Sequence, residues 1–505
     1  MISPILLLIL KSIYALCLVV LFLFSLNSLT LSILFLIHRK RIWNQSTPEM
    51  KQEWPLVTIQ LPVFNERYMV DRLIKSIVHL NYPADKLQIQ VLDDSTDSTT
   101  DLVHGLVARY QRRGVNIQML HREDRIGFKA GAMELALKSA TGEFVAVFDA
   151  DFLPDSDWLK KTIPFFQNPQ IGFVQTRWGH INNHYNWITR LAGMALDAHF
   201  IVEQTARAGA NLLMSFNGTA GLWRVATIES AGGWQGDTLT EDIDLSYRAQ
   251  MAGWHYVYVP QIVVKSEVPA QMDALKKQQV RWVKGNLQVS RKLLGKVLFS
   301  HLTLGQRIMG VMQLFMLFIP YPVTVITLLL TFPINLYAPH YMYLFGWTMI
   351  GSLGPVFLYT MAKSEFNPSL IKRILLLPAL TLLGVGISIN CTFGILSGFS
   401  KESGTFERTP KYNLSGGNEQ WAKNSYALSL SPVAAAEFLM GAYILFSTLY
   451  LYEVRNYAFP YWQLLPTLSY FMVAGSSTVQ SLQRSYARAH QTNPQSEPQT
   501  SVSSD

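Results

Sequence analysis

Three pairs of acidic residues have the spacing from which a reactive site can be built. "VAVFDADFLP", Val145 to Pro154, sets Asp149 and Asp151 two positions apart behind an apolar run, "VLDDST" carries Asp93-Asp94, and "LTEDID" carries Glu241-Asp242. In a D-x-D placed at a strand end, a slight turn brings both carboxylates near one point, where they repel. A hard divalent cation removes that cost, and Mg2+ or Mn2+ takes oxygen ligands together with substrate phosphates. The expected chemistry is therefore a metal that holds a diphosphate. Any one pair alone also reads as surface acids. "RIGFKAGAM", Arg125 to Met133, adds Lys129 among glycines, which suits phosphate contact at a helix start and also fits an ordinary loop entering a helix.

The elements around these residues deliver them to one edge. "PLVTIQLPVF" from Pro55, "LQIQVLDDS" from Leu87 and "EFVAVFDAD" from Glu143 read as strands. "ERYMVDRLIKSIVHL" has apolar residues at helical spacing between the first two, and helical stretches near 98–113 and 129–139 lie between the second and third. Strands alternating with helices predict an α/β fold with a parallel sheet covered on both faces. Ligands of such sheets bind beyond the carboxyl ends of the strands, where these acids fall. Two strand-terminal acid clusters and a downstream pair together suit a nucleotide-sugar site.

Of 505 residues, 49% are apolar and only 15% are charged. Ser12 to Ile37 holds no charged residue, and similar runs occupy about 308–335, 341–362, 374–399, 428–452 and 457–482. A span needs about 20 apolar residues, so each is a candidate; a buried core helix is the alternative. The first run is too long for a signal peptide's apolar region and ends in "HRKR", His38 to Arg41, which places the polar section after it in the cytoplasm. Leu275 to Leu298 carries seven Lys or Arg and no acid, the mark of a basic amphipathic helix on a membrane surface, with a solvated linker helix as the alternative. Cys17 and Cys391, the two cysteines, both lie in apolar runs, so neither a disulfide framework nor a cysteine metal site is expected. The formal charge of +8 sits largely beside membrane-flanking segments and favours anionic lipid over nucleic acid as a partner. The polar, Pro-containing end, 483–505, reads as a disordered tail.

In order along the chain, "QLPVFNER", "QIQVLDDSTD", "RIGFKAGAM", "FDADF", "FNGTAGLWR", "TEDIDLSYRA", "QQVRW" and "FERTPK" resemble the membrane-embedded family 2 glycosyltransferases, the cellulose synthases and cellulose-synthase-like mannan and glucan synthases. That resemblance implies a GT-A-like nucleotide-sugar-binding domain at 54–274, between a transmembrane helix at 1–40 and a transmembrane region at 305–482. It also implies an interfacial Q-x-x-R-W helix at 275–300 and a gating loop at 400–425. Asn65, Glu66, Asp93 and Asp94 would bind the nucleoside, Lys129 the diphosphate, and Asp149 with Asp151 the metal. Glu241 and Asp242 would stand at the reacting centre with Asp242 as general base. Gln278, Arg281 and Trp282 are the Q-x-x-R-W residues, Arg281 supporting the leaving diphosphate and Trp282 stacking beneath the acceptor. Gly218 and Thr219 would line the acceptor site, with Phe406, Thr409 and Lys411 in the gating loop. Arg408 stands where the family's F-x-V-T-x-K has Val. Trp178 and Trp223 could also face a sugar, but core packing is the expected role for both.

The resemblance places the gating loop on the cytoplasmic side, so the chain must cross an even number of times between Leu298 and Phe406. Three apolar runs lie there. With Pro378, Gly384, Gly386, Asn390 and Gly394, the stretch 371–399 is the poor uniform span, expected to lie at the interface or re-enter. Five spans are then expected. The implied activity is a processive inverting β-glycosyltransferase of the plasma (inner) membrane. It would use UDP-glucose or GDP-mannose to extend and export a β-1,4-glucan or mannan. A glycolipid-forming transferase with a diacylglycerol or polyprenyl-phosphate acceptor is the main alternative, and a transporter or non-catalytic scaffold the other.

Overall fold

The computed structural model describes residues 3–341, 353–364, 368–399, 408–414, 421–455 and 460–491. Helix α1 (Pro4–Trp43) leads into the α/β unit. This unit runs β1 (Val57–Val63), α2 (Val70–Val78), β2 (Leu87–Asp93), α3 (Thr99–Gln111), β3 (Ile117–His121), α4 (Phe128–Leu137), β4 (Phe144–Val147), α5 (Trp158–Thr162) and β5 (Ile171–His180). It continues through α6 (Trp187–Asp197), a π-helical turn (Ala198–Glu203), α7 (Gln204–Gly209), β6 (Gly221–Arg224), α8 (Val225–Ser230), α9 (Glu241–Met251) and β7 (His255–Ser266). Beyond it come α10 (Met272–Leu298), α11 (Leu304–Met316), α12 (Pro320–Tyr337), α13 (Leu353–Met361), α14 (Leu370–Gly386), α15 (Ser388–Gly398), α16 (Val433–Arg455) and α17 (Leu464–Gln491).

The seven strands form one sheet in the order β3-β2-β1-β4-β6-β5-β7. The three strands read from sequence are parallel neighbours: Val63 pairs with Asp93 at the end of β1 and β2, and Gln60 pairs with Val147 at the end of β4. The sheet is not parallel throughout, as the alternation suggested. β6 is only four residues long and runs antiparallel to both β4 and β5. Its direction brings Gly218-Thr219, just before it, to the same edge at which β1, β2 and β4 end. One face of the sheet buries Ile59, Leu61, Ile89, Val91, Ala146 and Leu222 against α2, α3 and α5, while the other buries Val145, Val147, Phe173 and Trp223 against α4 and α9. These alternate positions along each strand match the pleat.

Among the described residues, four segments are long and apolar enough to cross a membrane: Pro4–Trp43, Pro320–Tyr337, Leu370–Gly398 and Val433–Val454. The third is the stretch expected to make a poor span. Pro378 sits inside α14, and the path breaks only at Ile387, where α15 begins, so apolar length is kept. It packs on both sides: Leu380, Leu383, Cys391 and Ile395 share one core with Ile188 and Leu191 of α6, with Leu275, Val283 and Leu287 of α10, and with Val473 of α17. The expected last run, 457–482, falls on α17, which begins at Leu464, is not among these four segments, carries Arg484 and Arg488, and stays helical to Gln491 where a disordered tail is expected from 483. Part of the 341–362 run lies outside the described residues, as do Phe406 and most of the proposed tail.

Candidate active site

Two of the acid clusters owe their position to a strand end and the third to a helix start. Asp93 closes β2 and is fully buried; its carboxylate accepts from Thr100 Oγ1 (2.9 Å), His121 Nδ1 (2.8 Å) and the Ser95 N–H (3.3 Å). Those bonds occupy Asp93 inside the protein, where it shapes the turn. Asp94 receives a two-pronged contact from Arg122, Nε to Oδ1 at 2.8 Å and Nη2 to Oδ2 at 2.5 Å. Arg122 also donates to the carbonyls of Ile126 and Phe128, so one guanidinium ties the β2 end to the loop that carries Lys129. Asn65, with φ +54°, locks onto the same turn: its amide oxygen accepts from the Thr96 N–H (2.8 Å) and its own N–H donates to Ser95 Oγ (2.8 Å).

Lys129 is the centre of the second group. From the first turn of α4, its Nζ donates to Asp149 Oδ1 at 2.6 Å and to the Gly218 carbonyl at 2.7 Å, and stands 3.9 Å from Glu241 Oε1. Burial opposes its charge, but Asp149, Glu241 and Asp242 outweigh burial and hold its pKa above the ordinary value. Thr219 Oγ1 accepts from the Asp149 N–H at 2.9 Å, fixing the turn after β4 to the bend that leads into β6. Gly218 has φ +77°, and a Cβ there would lie 3.0 Å from Asp242 Oδ2, so the backbone passes close against that carboxylate. Glu241 and Asp242 open α9. Burial raises both carboxyls; Asp242, with Glu241 beside it, is pushed up to about 7.

The third group forms where residues far apart in sequence meet. Asp151 Oδ2 accepts from Lys411 Nζ (2.8 Å) and from the Glu267 N–H (3.2 Å). Glu66 pairs with Arg408 (Oε1 to Nε 3.0 Å). Its burial, with the repulsion of Asp151 and Asp149 added against the pull of Arg408, pushes its pKa up to about 8. Arg408 also lies 4.3 Å over the Tyr426 ring, and the Tyr426 hydroxyl donates to Asp97. Thr409 is buried beside this contact. Glu267 was not singled out from sequence: its buried carboxylate accepts the N–H groups of Tyr412 (2.8 Å) and Leu414 (3.0 Å) and so holds the 408–414 strand of chain against the sheet edge.

The Q-x-x-R-W residues ride on α10. Gly285 meets Thr240 so closely that a Cβ would lie 2.4 Å from Thr240 Cγ2. Further along, Lys292 reaches Asp244 of α9 at 3.0 Å and Asp237 at 2.7 Å. Arg281 lies near enough to Glu241 to pull down on its carboxyl. Gln278 is buried in the same helix, and the Trp282 carbonyl accepts from Asn286. Trp223 stacks on Phe173 at 4.5 Å in the core and Trp178 packs edge-on against Phe152 at 4.9 Å, so both are packing residues.

Among the described residues no three His, Cys, Asp or Glu side chains close on one point as a ready-made metal cage. The D-x-D offers two carboxylates, and Glu66 Oε2 beside it is buried with no hydrogen-bond partner. Oxygen ligands under mutual repulsion fit a hard divalent ion whose shell is completed by phosphate and water.

Residues 55–285 match the family described as "Glycosyltransferase like family 2". Glucomannan 4-beta-mannosyltransferase 2 of Arabidopsis thaliana is 43% identical over 249 residues, covering 48% of this chain and 47% of that protein. Glucomannan 4-beta-mannosyltransferase 1 of Oryza sativa subsp. japonica is 43% identical over 249 residues, covering 48% of each. The chain thus matches about half the length of these curated relatives. Among solved structures, a mannosyltransferase from Pyrobaculum calidifontis in complex with GDP-Man and Mn2+ superposes with a TM-score of 0.50 at 20% identity, over 70% of this chain and all of that one. It shares the GT-A-like fold.

Proposed function

Because residues 55–285 are a family 2 glycosyltransferase domain, we propose that the chain is a processive inverting glycosyltransferase building a β-linked polysaccharide from a nucleotide sugar. The observation that carries this reading is the Lys129 cluster. One half-buried cation touches the D-x-D acid Asp149 at 2.6 Å and the Gly218 carbonyl at 2.7 Å. Beside it stands a carboxyl, Asp242, whose pKa is near the working pH. A proton acceptor and a diphosphate partner therefore share one pocket edge. GDP-mannose is the favoured sugar donor, since the plant relatives are mannosyltransferases, and UDP-glucose is the second candidate.

Asn65 and Asp94 line the nucleoside end, Asp93 shaping the turn beneath them, with Glu66 between the nucleoside and the acids of the metal site. Asp149 and Asp151 would hold Mg2+ or Mn2+, which when bound supplies positive charge to the donor's phosphates. The acceptor hydroxyl attacks the sugar's C1 on the face opposite the diphosphate. A new C–O bond forms as the bond to the diphosphate breaks, and Asp242 takes the hydroxyl proton. Lys129 and Arg281 meet the charge that develops on the leaving group. The diphosphate departs without protonation, so one base suffices. Trp282 borders the acceptor beside the Gly218 turn, which buried Thr219 holds from beneath, and Thr409 and Lys411 enter from the loop whose Phe406 completes the motif. The protein is proposed to sit in the plasma (inner) membrane with the catalytic unit cytoplasmic, and to pass its polymer through its own spans. The 370–398 stretch would lie along the interface, a placement supported by its packing on α6 and α10.

The test is incubation of membranes containing the full chain with labelled GDP-mannose and UDP-glucose separately, each with Mg2+ or Mn2+. Label in material that resists lipid extraction and is cut by an endo-β-1,4-mannanase or glucanase is the expected result. Label that extracts with lipid would make the product a glycolipid, and no transfer from either sugar donor would overturn the proposal.

A further inference from the structure

The first turn of α10 is an ionic hub closed off from solvent. Lys276 Nζ donates to both oxygens of Glu437, at 2.9 and 3.1 Å, and stands 3.4 Å from Asp273 Oδ1. All three side chains are at most 3% exposed. Glu437 belongs to α16, which is long and apolar enough to cross a membrane. Two more helices bind the same turn. Asn390 of α15 donates to the Lys276 carbonyl (3.2 Å), while in α17 Ser477 donates to Asp273 Oδ1 (3.2 Å) and Gln480 accepts the Met272 N–H (2.7 Å). On the other side, Gln271 bonds to Leu428 and to the Tyr412 hydroxyl, four residues after Glu267, whose N–H reaches Asp151.

An ionisable group on a hydrophobic helix calls for a partner and a task. A buried ion pair adds little net stability against an apolar pair, because desolvation cancels most of the attraction. What it adds is a fixed direction: two carboxylate oxygens on one ammonium define where each backbone stands. Here two acids share a single lysine, and the lysine lies two residues before Gln278 and five before Arg281. At 1.5 Å of rise per residue, the hub is roughly 7.5 Å along the axis from Arg281. We propose that Lys276 and Glu437 are positioning residues that tie the Q-x-x-R-W helix to the membrane helices, so that Arg281 and Trp282 keep their place beside Glu241 and Asp242 while the acceptor end enters the spans. This inference rests on the glycosyltransferase reading for its catalytic consequence and on geometry alone for the positioning.

The experiment uses the full chain in lipid nanodiscs. Glu437→Gln leaves Lys276 one charged partner, Asp273, and keeps the side-chain shape. Expected are a kcat lowered about tenfold to hundredfold, a KM for the sugar donor within about twofold of wild type, and faster amide exchange across 277–283 with β1 unchanged. Glu437→Asp, which keeps the charge, should recover most of kcat. A Glu437→Gln protein with wild-type kcat and wild-type exchange would overturn the inference. So would a loss of activity that only tracks a fall in the thermal midpoint. If the wild type transfers sugar from neither donor, the functional reading fails while the exchange across 277–283 still decides the positioning.

Discussion

Asp242 and Glu66 are both carboxyls pushed far above their usual range, to about 7 and about 8, and both mainly by burial. They differ in their neighbours. Glu66 is held by Arg408, whereas Asp242 borders Glu241, the Lys129 ammonium and the Gly218 backbone, the corner proposed for the acceptor hydroxyl. Asp242→Asn should therefore lower transfer roughly 10²- to 10⁴-fold while nucleotide binding, measured by calorimetry, stays near wild type; normal turnover would remove Asp242 as the base. The pH dependence comes from the same shift. A base must be ionised, so kcat should rise with pH through about 7. Stability runs the other way: with the folded pKa raised above the unfolded one, the contribution is fully present below about pH 4 and is lost as pH rises through about 7. The thermal midpoint of the donor-free protein should fall across that window, and less steeply in the Asn variant. The Asp93-Asp94 and Asp149–Asp151 pairs were legible because each follows an apolar run that reads as a strand, and Glu241-Asp242 because it falls within a motif of the resemblance; Glu123-Asp124 and Asp155–Asp157 have neither setting. Glu267 and Arg122 were not legible: a single acid in "VVKSEVPA" acquires its task only when Tyr412 and Leu414, about 145 residues on, fold against it.

At the scale of elements, the sequence reading succeeded where a segment's own pattern dictates its state. β1, β2 and β4 are apolar runs, the last two leading into acids, and α10 is basic and amphipathic along its length. β6 escaped because four residues, "GLWR", become a strand only between β4 and β5, and its reversed direction is a tertiary choice. The contact between α9 and α10 was equally hidden. Gly285 is an inconspicuous residue in "RWVKGNLQ", yet at that point the two helices touch without side-chain clearance: a methyl would lie 2.4 Å from Thr240 Cγ2 and 2.7 Å from its Oγ1. Both atoms belong to a short β-branched side chain that cannot swing far. Gly285→Ala must part the helices, moving Arg281 away from the Glu241-Asp242 turn. An active-site shift of about 1 Å can cost about a hundredfold, so kcat should drop tenfold to hundredfold in the labelled-sugar assay. Helix propensity gives Ala an advantage of about 1 kcal/mol over Gly, so α10 itself should not unravel. Unchanged kcat in Gly285→Ala would show that α10 can move without disturbing the reaction.

For the whole molecule, the direction of the spans relative to the catalytic unit can be read from contacts along α1. Its C-terminal end docks on the α/β unit, where Arg41 donates to the Gly209 carbonyl and Gln261 Nε2 donates to the Trp43 carbonyl at 2.7 Å. Its other end lies beside the end of α12, with Tyr14 and Leu18 packed on Ile334 and Lys11 5.1 Å over the Tyr341 ring. Tyr337 is therefore remote from the catalytic unit, on the face of the protein where α1 begins. If Arg39, Lys40 and Arg41 mark the cytoplasmic side, Tyr337 lies outside. Phe399 and Leu430 stay with the catalytic unit, because α15 packs Gly398 on Leu287 of α10 and Leu428 bonds to Gln271. Tyr337, Phe399 and Leu430 are each more than a third exposed, and the two native cysteines, Cys17 and Cys391, are buried, so single introduced cysteines report cleanly. A membrane-impermeant maleimide applied to intact cells should label Tyr337→Cys, and should label Phe399→Cys and Leu430→Cys only after permeabilisation. Phe399→Cys is the decisive position. Although 370–398 has the length and hydropathy to cross, a crossing would carry residue 399 to the far side of the bilayer from Asp151 and Lys129, so labelling there from outside would reject both the interfacial placement and the five-span arrangement.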